Sequence, residues 1–189
     1  MSKQKAVFLD RDGTIIVDRN YLSDASQITW LEGCQRALRQ AVDAGYVLVV
    51  VTNQSGVARG LIQMDELELI HREMQEQLEE AVQVRIHQFY VCPHHEQGVV
   101  KALQLRCDCR KPGRALFDQA ILDWNIDVTN SIAIGDRVRD LIPAAACGVQ
   151  QLYLFESDQD SQVEIEEALK LLESIKKVKS WTEINFDWM

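Results

Sequence analysis

Short apolar runs, rich in β-branched and aromatic residues, recur along the chain and alternate with segments of helical spacing. Each run has the length and composition typical of a buried strand. Five strands are predicted in this way, at residues 5–10, 46–52, 86–92, 131–136 and 150–155.

Between the strands, apolar residues repeat at intervals of three and four, which is typical of helices with one buried face. Strands that alternate with helices predict an α/β fold, a doubly wound parallel sheet covered on both faces. With 189 residues and no linker-like tract, we expect a single domain over residues 1–189; residues 181–189 follow neither pattern. The three helical repeats are Leu67, Ile70, Met74 and Leu78; Phe117, Ala120, Ile121 and Trp124; and Ile165, Ala168, Leu169, Leu172 and Ile175.

Sheets of this kind bind ligands beyond the carboxyl ends of their strands, so the residues at those ends are the informative ones. The first predicted strand runs into Asp10, Arg11, Asp12, Gly13 and Thr14. The second ends in Thr52-Asn53-Gln54-Ser55, and the fourth ends in Gly135-Asp136. We therefore expect the functional site at this rim.

Asp10 and Asp12 are two carboxylates that repel each other unless a cation or a shared proton relieves them, and magnesium prefers such oxygen ligands. An Asp-Gly hairpin turn is the alternative, but no strand follows at hairpin spacing. An EF-hand loop needs glycine at its sixth position, whereas Gly13 is fourth. We interpret the pair as a candidate catalytic and magnesium site.

Three further residues fit a phosphate site at the rim. Thr52 offers a hydroxyl donor to a phosphoryl oxygen, Lys111 offers a positive charge, and Asp136 offers a third carboxylate. Each also has a structural interpretation: Thr52 as a helix cap, Lys111 as a surface charge, and Asp136 as a helix N-cap.

The net charge of −9 argues against a nucleic-acid partner, and no apolar run reaches the roughly 18 residues of a membrane span. The first apolar run is too short for a signal-peptide core, so we expect a cytoplasmic protein. Residues 101–114 form a local basic cluster, which either attracts an anionic small molecule or is a solvated loop. Its basic members are Lys101, Arg106, Arg110, Lys111 and Arg114.

Three of the five cysteines fall close together with a histidine, as Cys92, His94, Cys107 and Cys109. Three sulfurs and one nitrogen complete a closed tetrahedral zinc site, which would be structural. The alternative is three buried thiols beside a surface histidine, and His95 is a rival ligand. We expect a zinc-binding loop at residues 92–109, in place of a separate cap domain, which holds Arg110 and Lys111 over the site.

Cys34 and Cys147 stand alone, and we interpret them as packing residues.

Four motifs follow one another in this chain: DxDGT, a strand that ends in Thr-Asn, then Lys-Pro, then Gly-Asp-x-x-x-Asp. Their order resembles the haloacid dehalogenase superfamily of phosphatases, over residues 5 to about 150. The resemblance implies a Rossmann-like core and an aspartyl-phosphate intermediate. It implies that Asp10 is the nucleophile, Asp12 the general acid/base, and Thr52 and Lys111 the holders of the phosphoryl group. Magnesium would bind Asp10, Asp136 and the carbonyl of Asp12. Asp140 either ligates the metal or orients Lys111.

Within the superfamily, the zinc loop is similar to those of heptose 1,7-bisphosphate phosphatases and of histidinol-phosphate phosphatases. The segments 18–21, 53–60 and 92–95 resemble the heptose group. That resemblance implies removal of the C7 phosphate, with a product that enters the synthesis of ADP-heptose and the lipopolysaccharide core. It implies substrate contacts from Asp18, Arg19, Asn20, Tyr21, Thr52, Asn53, Gln54, Ser55, Arg110 and Arg137. Arg59, Arg110 and Arg137 are candidates for a retained second phosphate.

Two positions depart from the heptose pattern: Arg137 stands in place of a lysine, as in the histidinol group, and Gly113-Arg114 replaces a His-Pro-type pair. A histidinol-phosphate phosphatase, or another phosphatase of small metabolites, is therefore the alternative.

Three other classes of protein fit the sequence less well. A receiver domain would end its third strand in a phosphate acceptor, and a dinucleotide binder needs a glycine-rich turn that is missing here. A zinc-stabilised phosphate-binding scaffold without activity would tolerate the loss of Asp10 or Asp12, and both are present. We expect a monomer with a small phosphorylated sugar as its substrate.

Overall fold

The computed structural model describes residues 3–156 and 175–186, and there it contains one parallel six-stranded sheet. The strand order is β3-β2-β1-β4-β5-β6, and every neighbouring pair is parallel. This confirms the doubly wound sheet. The strands are β1 (Ala6–Leu9), β2 (Val47–Asn53), β3 (Gln88–Cys92), β4 (Ile132–Gly135), β5 (Gln151–Phe155) and β6 (Ile175–Val178).

Two layers of helices cover the sheet. Successive residues of a strand point to opposite faces, so Val7 and Leu9 of β1 join one apolar cluster while Ala6 and Phe8 join the other. The first cluster is closed by α1 (Cys34–Asp43) and α3 (Met64–Val82), and the second by α4 (Ala115–Asp123) and α5 (Val138–Ala146). A short helix α2 (Ser55–Ala58) follows β2.

The first two predicted helical repeats lie on α3 and α4, with Trp124 as the residue that ends α4. The third lies mostly outside the described residues, but its last member, Ile175, was wrongly assigned to a helix. Ile175 begins β6 and pairs with Leu152. β6 is a four-residue edge strand with two exposed lysines, Lys176 and Lys177, so it lacked the continuous apolar run by which the other strands were predicted.

The chain order reverses at the middle of the sheet. It runs outward from β1 through β2 to β3, then crosses back to β4 on the other side of β1. Such a reversal leaves a crevice beyond the carboxyl ends of the two central strands. No separate cap domain occurs within residues 3–156 and 175–186, and no helix in these ranges is long and apolar enough to span a membrane.

Candidate active site

The loop after β1 folds back on itself directly beneath the crevice. The backbone N–H groups of Ile15 and Ile16 both donate to the carbonyl of Arg11, over 3.0 and 3.1 Å. Gly13 has φ +78°, and a Cβ there would collide with the carboxylate of Asp136. Only glycine fits this turn, which places Asp10 and Asp12 at the crevice together with Asp136 from the end of β4.

Lys111 is buried at the centre of the site, so its interpretation as a surface charge is wrong. Its Nζ donates to Asp10 Oδ1 over 2.6 Å and to the carbonyl of Val51 over 2.7 Å, and it lies 2.8 Å from Asp140 Oδ1. Burial alone would lower the pKa of Lys111, but Asp10 and Asp140 raise it above its ordinary value. Asp140 thus contacts Lys111, as one of its two expected roles requires, and it also lies with the carboxylates that could hold a metal.

Carboxylate oxygens of Asp10, Asp136 and Asp140 all lie within 4.8 Å of one another. Burial raises the pKa of Asp136 to about 8, with Asp10 and Asp140 adding to the effect. Burial also raises the pKa of Asp10 to about 6, although Lys111 opposes the shift. A divalent cation would relieve this repulsion, and hard oxygen ligands suit magnesium. The N-cap of α5 is Arg137, so Asp136 is not the helix cap.

Thr52 belongs to a polar network with Asp12. Gln54 Nε2 donates to Thr52 Oγ1 over 2.9 Å and to Asp12 Oδ2 over 2.7 Å. Because the oxygen of Thr52 accepts from Gln54, its own proton is left for another acceptor. Thr52 lies in β2 and the N-cap of α2 is Gln54, which overturns the cap interpretation of Thr52.

The remaining wall of the crevice is strongly basic. The cleft has a volume of about 320 Å³, and its lining includes Arg59, His95, Arg110 and Arg139. The Nε atoms of Arg59 and Arg139 are buried and have no hydrogen-bond partner among the described residues. Burial lowers the pKa of Arg110, and the nearby Arg139 lowers it further. Within residues 3–156 and 175–186, none of these three arginines has a carboxylate partner, and cations packed together in this way favour an anion in the space between them.

Arg137 also lines the cleft but serves different partners: its guanidinium lies 3.7 Å from Asp18 Oδ2 and 3.8 Å from Asp136 Oδ2. Arg19 is not brought into the cleft, because its guanidinium donates to Thr29 Oγ1 on the exposed side of the loop. Other expected substrate residues that line the cleft are Asp18, Asn20, Tyr21, Asn53, Gln54 and Ser55.

The four predicted zinc ligands lie close together. Sulfur–sulfur distances among Cys92, Cys107 and Cys109 are 3.0–3.6 Å, and His94 Nδ1 lies 3.2 Å from Cys109 Sγ. None of these cysteines forms a disulfide. One nitrogen and three sulfurs at these separations fit a tetrahedral zinc ion. His95 instead bonds Arg59 through Nε2 over 3.1 Å, so His94 and not His95 belongs to the cluster.

The two cysteines that lie outside the Cys/His cluster have the packing role expected of them. Cys34 is fully buried in one apolar cluster, and Cys147 packs against the other.

Sequence reasoning missed three residues of this site. Arg11 is buried beside Asp12, Arg139 joins the basic wall, and His71 of α3 contacts Arg11 from behind. The position of Arg139 three residues after Asp136, on the first turn of α5, was the available signal. Neither Arg11 nor His71 carries a pattern that distinguishes it from a surface residue.

Comparisons with known proteins give a consistent result. A family model described as polynucleotide kinase 3 phosphatase matches residues 5–167. A D-glycero-beta-D-manno-heptose-1,7-bisphosphate 7-phosphatase from Haemophilus ducreyi is 43% identical over 78% of this chain and 80% of its own length. A protein of the same name from Escherichia coli K12 is 37% identical over 86% of this chain and 85% of its own.

Solved structures agree with these relatives. A phosphatase of the haloacid dehalogenase type from Mesorhizobium loti has a TM-score of 0.76 and 32% identity, over 90% of this chain and 87% of that one. A D,D-heptose 1,7-bisphosphate phosphatase from B. bronchiseptica, in complex with magnesium and phosphate, has a TM-score of 0.76 and 26% identity, over 94% and 93% of the two chains. The chain therefore belongs to the haloacid dehalogenase superfamily of phosphatases, in the family whose members are named D-glycero-beta-D-manno-heptose-1,7-bisphosphate 7-phosphatase.

Proposed function

We propose that this protein is a magnesium-dependent phosphatase that removes the C7 phosphate of D-glycero-β-D-manno-heptose 1,7-bisphosphate and leaves the C1 phosphate in place. One observation carries the proposal: the cleft holds both Asp10, paired with the buried Lys111, and a wall of arginines that have no carboxylate partner among the described residues. A substrate with two phosphates matches both ends.

Asp10 is the proposed nucleophile. One of its carboxylate oxygens attacks phosphorus, the bond from phosphorus to the sugar oxygen breaks, and an aspartyl phosphate forms. Lys111 Nζ, at 2.6 Å from Asp10, offsets the negative charge that nucleophile and phosphate share. The hydroxyl of Thr52 donates a hydrogen bond to a phosphoryl oxygen, since the oxygen of Thr52 already accepts from Gln54.

Asp12 is the proposed general acid and base. It gives a proton to the leaving sugar oxygen, and in the second step it takes a proton from the water that attacks the aspartyl phosphate. Inorganic phosphate leaves, and Asp10 returns as a carboxylate. Asp10, Asp136 and the carbonyl of Asp12 would hold magnesium, with Asp140 within reach; when bound, the ion supplies positive charge to the phosphoryl oxygens.

Three arginines are proposed to hold the retained phosphate: Arg59, Arg110 and Arg139. Arg139 takes the place that sequence reasoning gave to Arg137, because Arg137 faces Asp18 and Asp136. Guanidinium groups bind phosphate oxygens through charge-assisted hydrogen bonds, which orient the other end of the substrate.

The zinc loop, residues 92–109, is proposed to stiffen the segment that delivers Arg110 and Lys111. A closed site of three thiolates and one imidazole leaves no position for water, so its role is structural. We propose one phosphatase domain over residues 1–189, active as a monomer in the cytoplasm.

A direct comparison of substrates tests the proposal. Phosphate release is measured from heptose 1,7-bisphosphate and from histidinol phosphate, with and without magnesium. We expect kcat/KM to favour the bisphosphate by at least about a hundredfold, which is about 2.7 kcal/mol of transition-state discrimination. Histidinol phosphate lacks the second anion and carries an amine that the arginines repel. A preference for histidinol phosphate would refute the heptose assignment and leave the chemistry at Asp10 intact.

A further inference from the structure

Arg11 is the most deeply buried charged residue of the site, with 1% of its surface exposed. Its planar guanidinium bonds three side chains at once. Nε donates to Asp12 Oδ2 over 3.1 Å, and NH2 donates to Asp12 Oδ1 over 2.9 Å and to Gln54 Oε1 over 3.0 Å. The far edge, NH1, lies 3.2 Å from His71 Nε2. Arg11 therefore connects the proposed acid/base residue to α3, a helix that is otherwise outside the chemistry.

His71 is fixed on its other side as well. Its ring stacks on Phe89 of β3, with centroids 4.2 Å apart and planes inclined by 9°. Arginine has no acceptor, so the contact requires His71 Nε2 to be unprotonated and to accept from Arg11. Burial, with the charge of Arg11 second, lowers the pKa of His71 to about 3, in keeping with a neutral ring.

We propose that His71 is a positioning residue: through Arg11 it fixes the carboxylate of Asp12 in the orientation that proton transfer to the leaving group requires. The inference rests on the proposed function, since it assigns Asp12 the acid role. Asp12 lines the cleft with 23% of its side chain exposed, while Arg11 and Gln54 hold it from behind. Because the guanidinium is planar and rigid, holding its NH1 at His71 also fixes the Nε and NH2 groups that bond the carboxylate of Asp12.

The leaving group provides the test. A sugar alkoxide needs a proton as it departs, whereas para-nitrophenolate needs very little. In His71→Leu, the rate of phosphoryl transfer to Asp10 should fall at least about tenfold with the sugar bisphosphate and less than about threefold with para-nitrophenyl phosphate. The rates are measured by rapid quench in a single turnover. His71→Gln, whose amide oxygen can accept from Arg11, should recover part of the loss.

His87→Leu is the matched control. His87 Nδ1 accepts from the backbone N–H of Leu48 and its ring packs edge-on against Trp124, and neither of these contacts, seen in the part of the chain that the structure describes, involves the Asp12 network. Its loss should act alike on both substrates. Equal losses on both substrates in His71→Leu, or no loss on either, would overturn the inference.

A second variant and a second pair of substrates cover two ways in which the experiment could fail. If His71→Leu does not fold, His71→Phe makes the same test, because phenylalanine can keep the stack on Phe89 but offers Arg11 no acceptor. If the wild-type protein releases no phosphate from the heptose substrate, the proposed substrate is refuted. The comparison is then made with glycerol phosphate against para-nitrophenyl phosphate, so the two failures remain separate.

Discussion

Asn53 and Lys111 exchange two hydrogen bonds: Lys111 N donates to Asn53 Oδ1 over 3.0 Å, and Asn53 Nδ2 donates to the carbonyl of Lys111 over 3.1 Å. The pair joins the end of β2 to the segment that follows the zinc loop. Both polar backbone groups of Lys111 are thereby fixed, and its side chain reaches Asp10 from a defined point. Asn53, which lines the cleft, thus also holds the backbone of Lys111 in place.

Asn53→Ala should lower kcat by about tenfold or more, because the Lys111 backbone loses both partners and its Nζ is no longer held at Asp10. The loss of two partly buried hydrogen bonds should cost about 1–3 kcal/mol in the free energy of unfolding. Steady-state kinetics and a denaturant melt measure both quantities. Asn130→Ala is the control, since Asn130 bonds only Asp127 in a surface turn among the contacts described. An unchanged kcat in Asn53→Ala would contradict the assignment.

Asp10→Asn should abolish phosphate release while the protein remains folded, because an amide cannot attack phosphorus. Lys111 keeps Asp140 as a partner, so the buried cation is not left alone. Circular dichroism and a thermal melt establish folding, and a malachite-green assay measures turnover. Turnover within tenfold of wild type in a clean preparation would exclude the aspartyl-phosphate route.

Arg110→Ala and Arg139→Ala should each lower kcat/KM for a sugar bisphosphate about tenfold or more, and should leave a simple monophosphate nearly unaffected. Arg106→Ala is the matched control, because Arg106 lies on the same loop with 91% of its side chain exposed. Equal losses on the two substrates would mean that these arginines serve the reacting phosphate or the fold of the loop.

Purified protein should contain about one zinc ion per chain, bound by Cys92, His94, Cys107 and Cys109. Elemental analysis of Cys107→Ser should show that the metal is lost. The neighbouring histidines form a matched pair, since His94→Ala should lose zinc and His95→Ala should keep it. Retention of zinc in His94→Ala would show that the ligand set is misassigned.

Magnesium affinity should weaken as the pH falls from 8.5 to 6.5. The raised pKa of Asp136, about 8, means that the metal-free carboxyl holds a proton below that pH, and the ion must displace it. The apparent Kd should therefore rise by up to about tenfold for each pH unit below 8. Calorimetry in buffers of different ionisation enthalpy measures both the Kd and the released proton. A Kd that does not change with pH would contradict the shift.

The same shift predicts the stability of the metal-free protein. The folded state of Asp136 binds its proton more tightly than the unfolded state does, so the folded protein carries the extra proton below pH 8. The stability that this extra proton gives the folded protein is therefore lost as the pH rises to about 8 and beyond. The free energy of unfolding falls by up to about 1.4 kcal/mol for each pH unit. Asp136→Asn should flatten this dependence between pH 6.5 and 8.5.

The sequence was sufficient for those parts of the site that local pattern determines. Strand ends placed Asp10, Thr52 and Asp136 at one rim, and residue spacing identified the four members of the Cys/His cluster. Which side chains contact each other depends on how segments that are distant in the sequence pack together, and the spacing of residues along the chain does not show this. Hence the contact between Arg11 and His71, 60 residues apart, was missed, and so was the position of Arg139 in the basic wall.

Residues 181–189 matched neither the strand nor the helix pattern in the sequence, yet one of them packs against the loop after β1. Trp181 is buried, and its Nε1 donates to the carbonyl of Thr14 over 3.0 Å, across 167 residues of chain. That carbonyl belongs to the catalytic loop after β1. The loop and this indole lie 167 residues apart, so the loop cannot gain the hydrogen bond until residue 181 has been made and has folded against it. Completion of the loop therefore comes after the synthesis of all six strands described above.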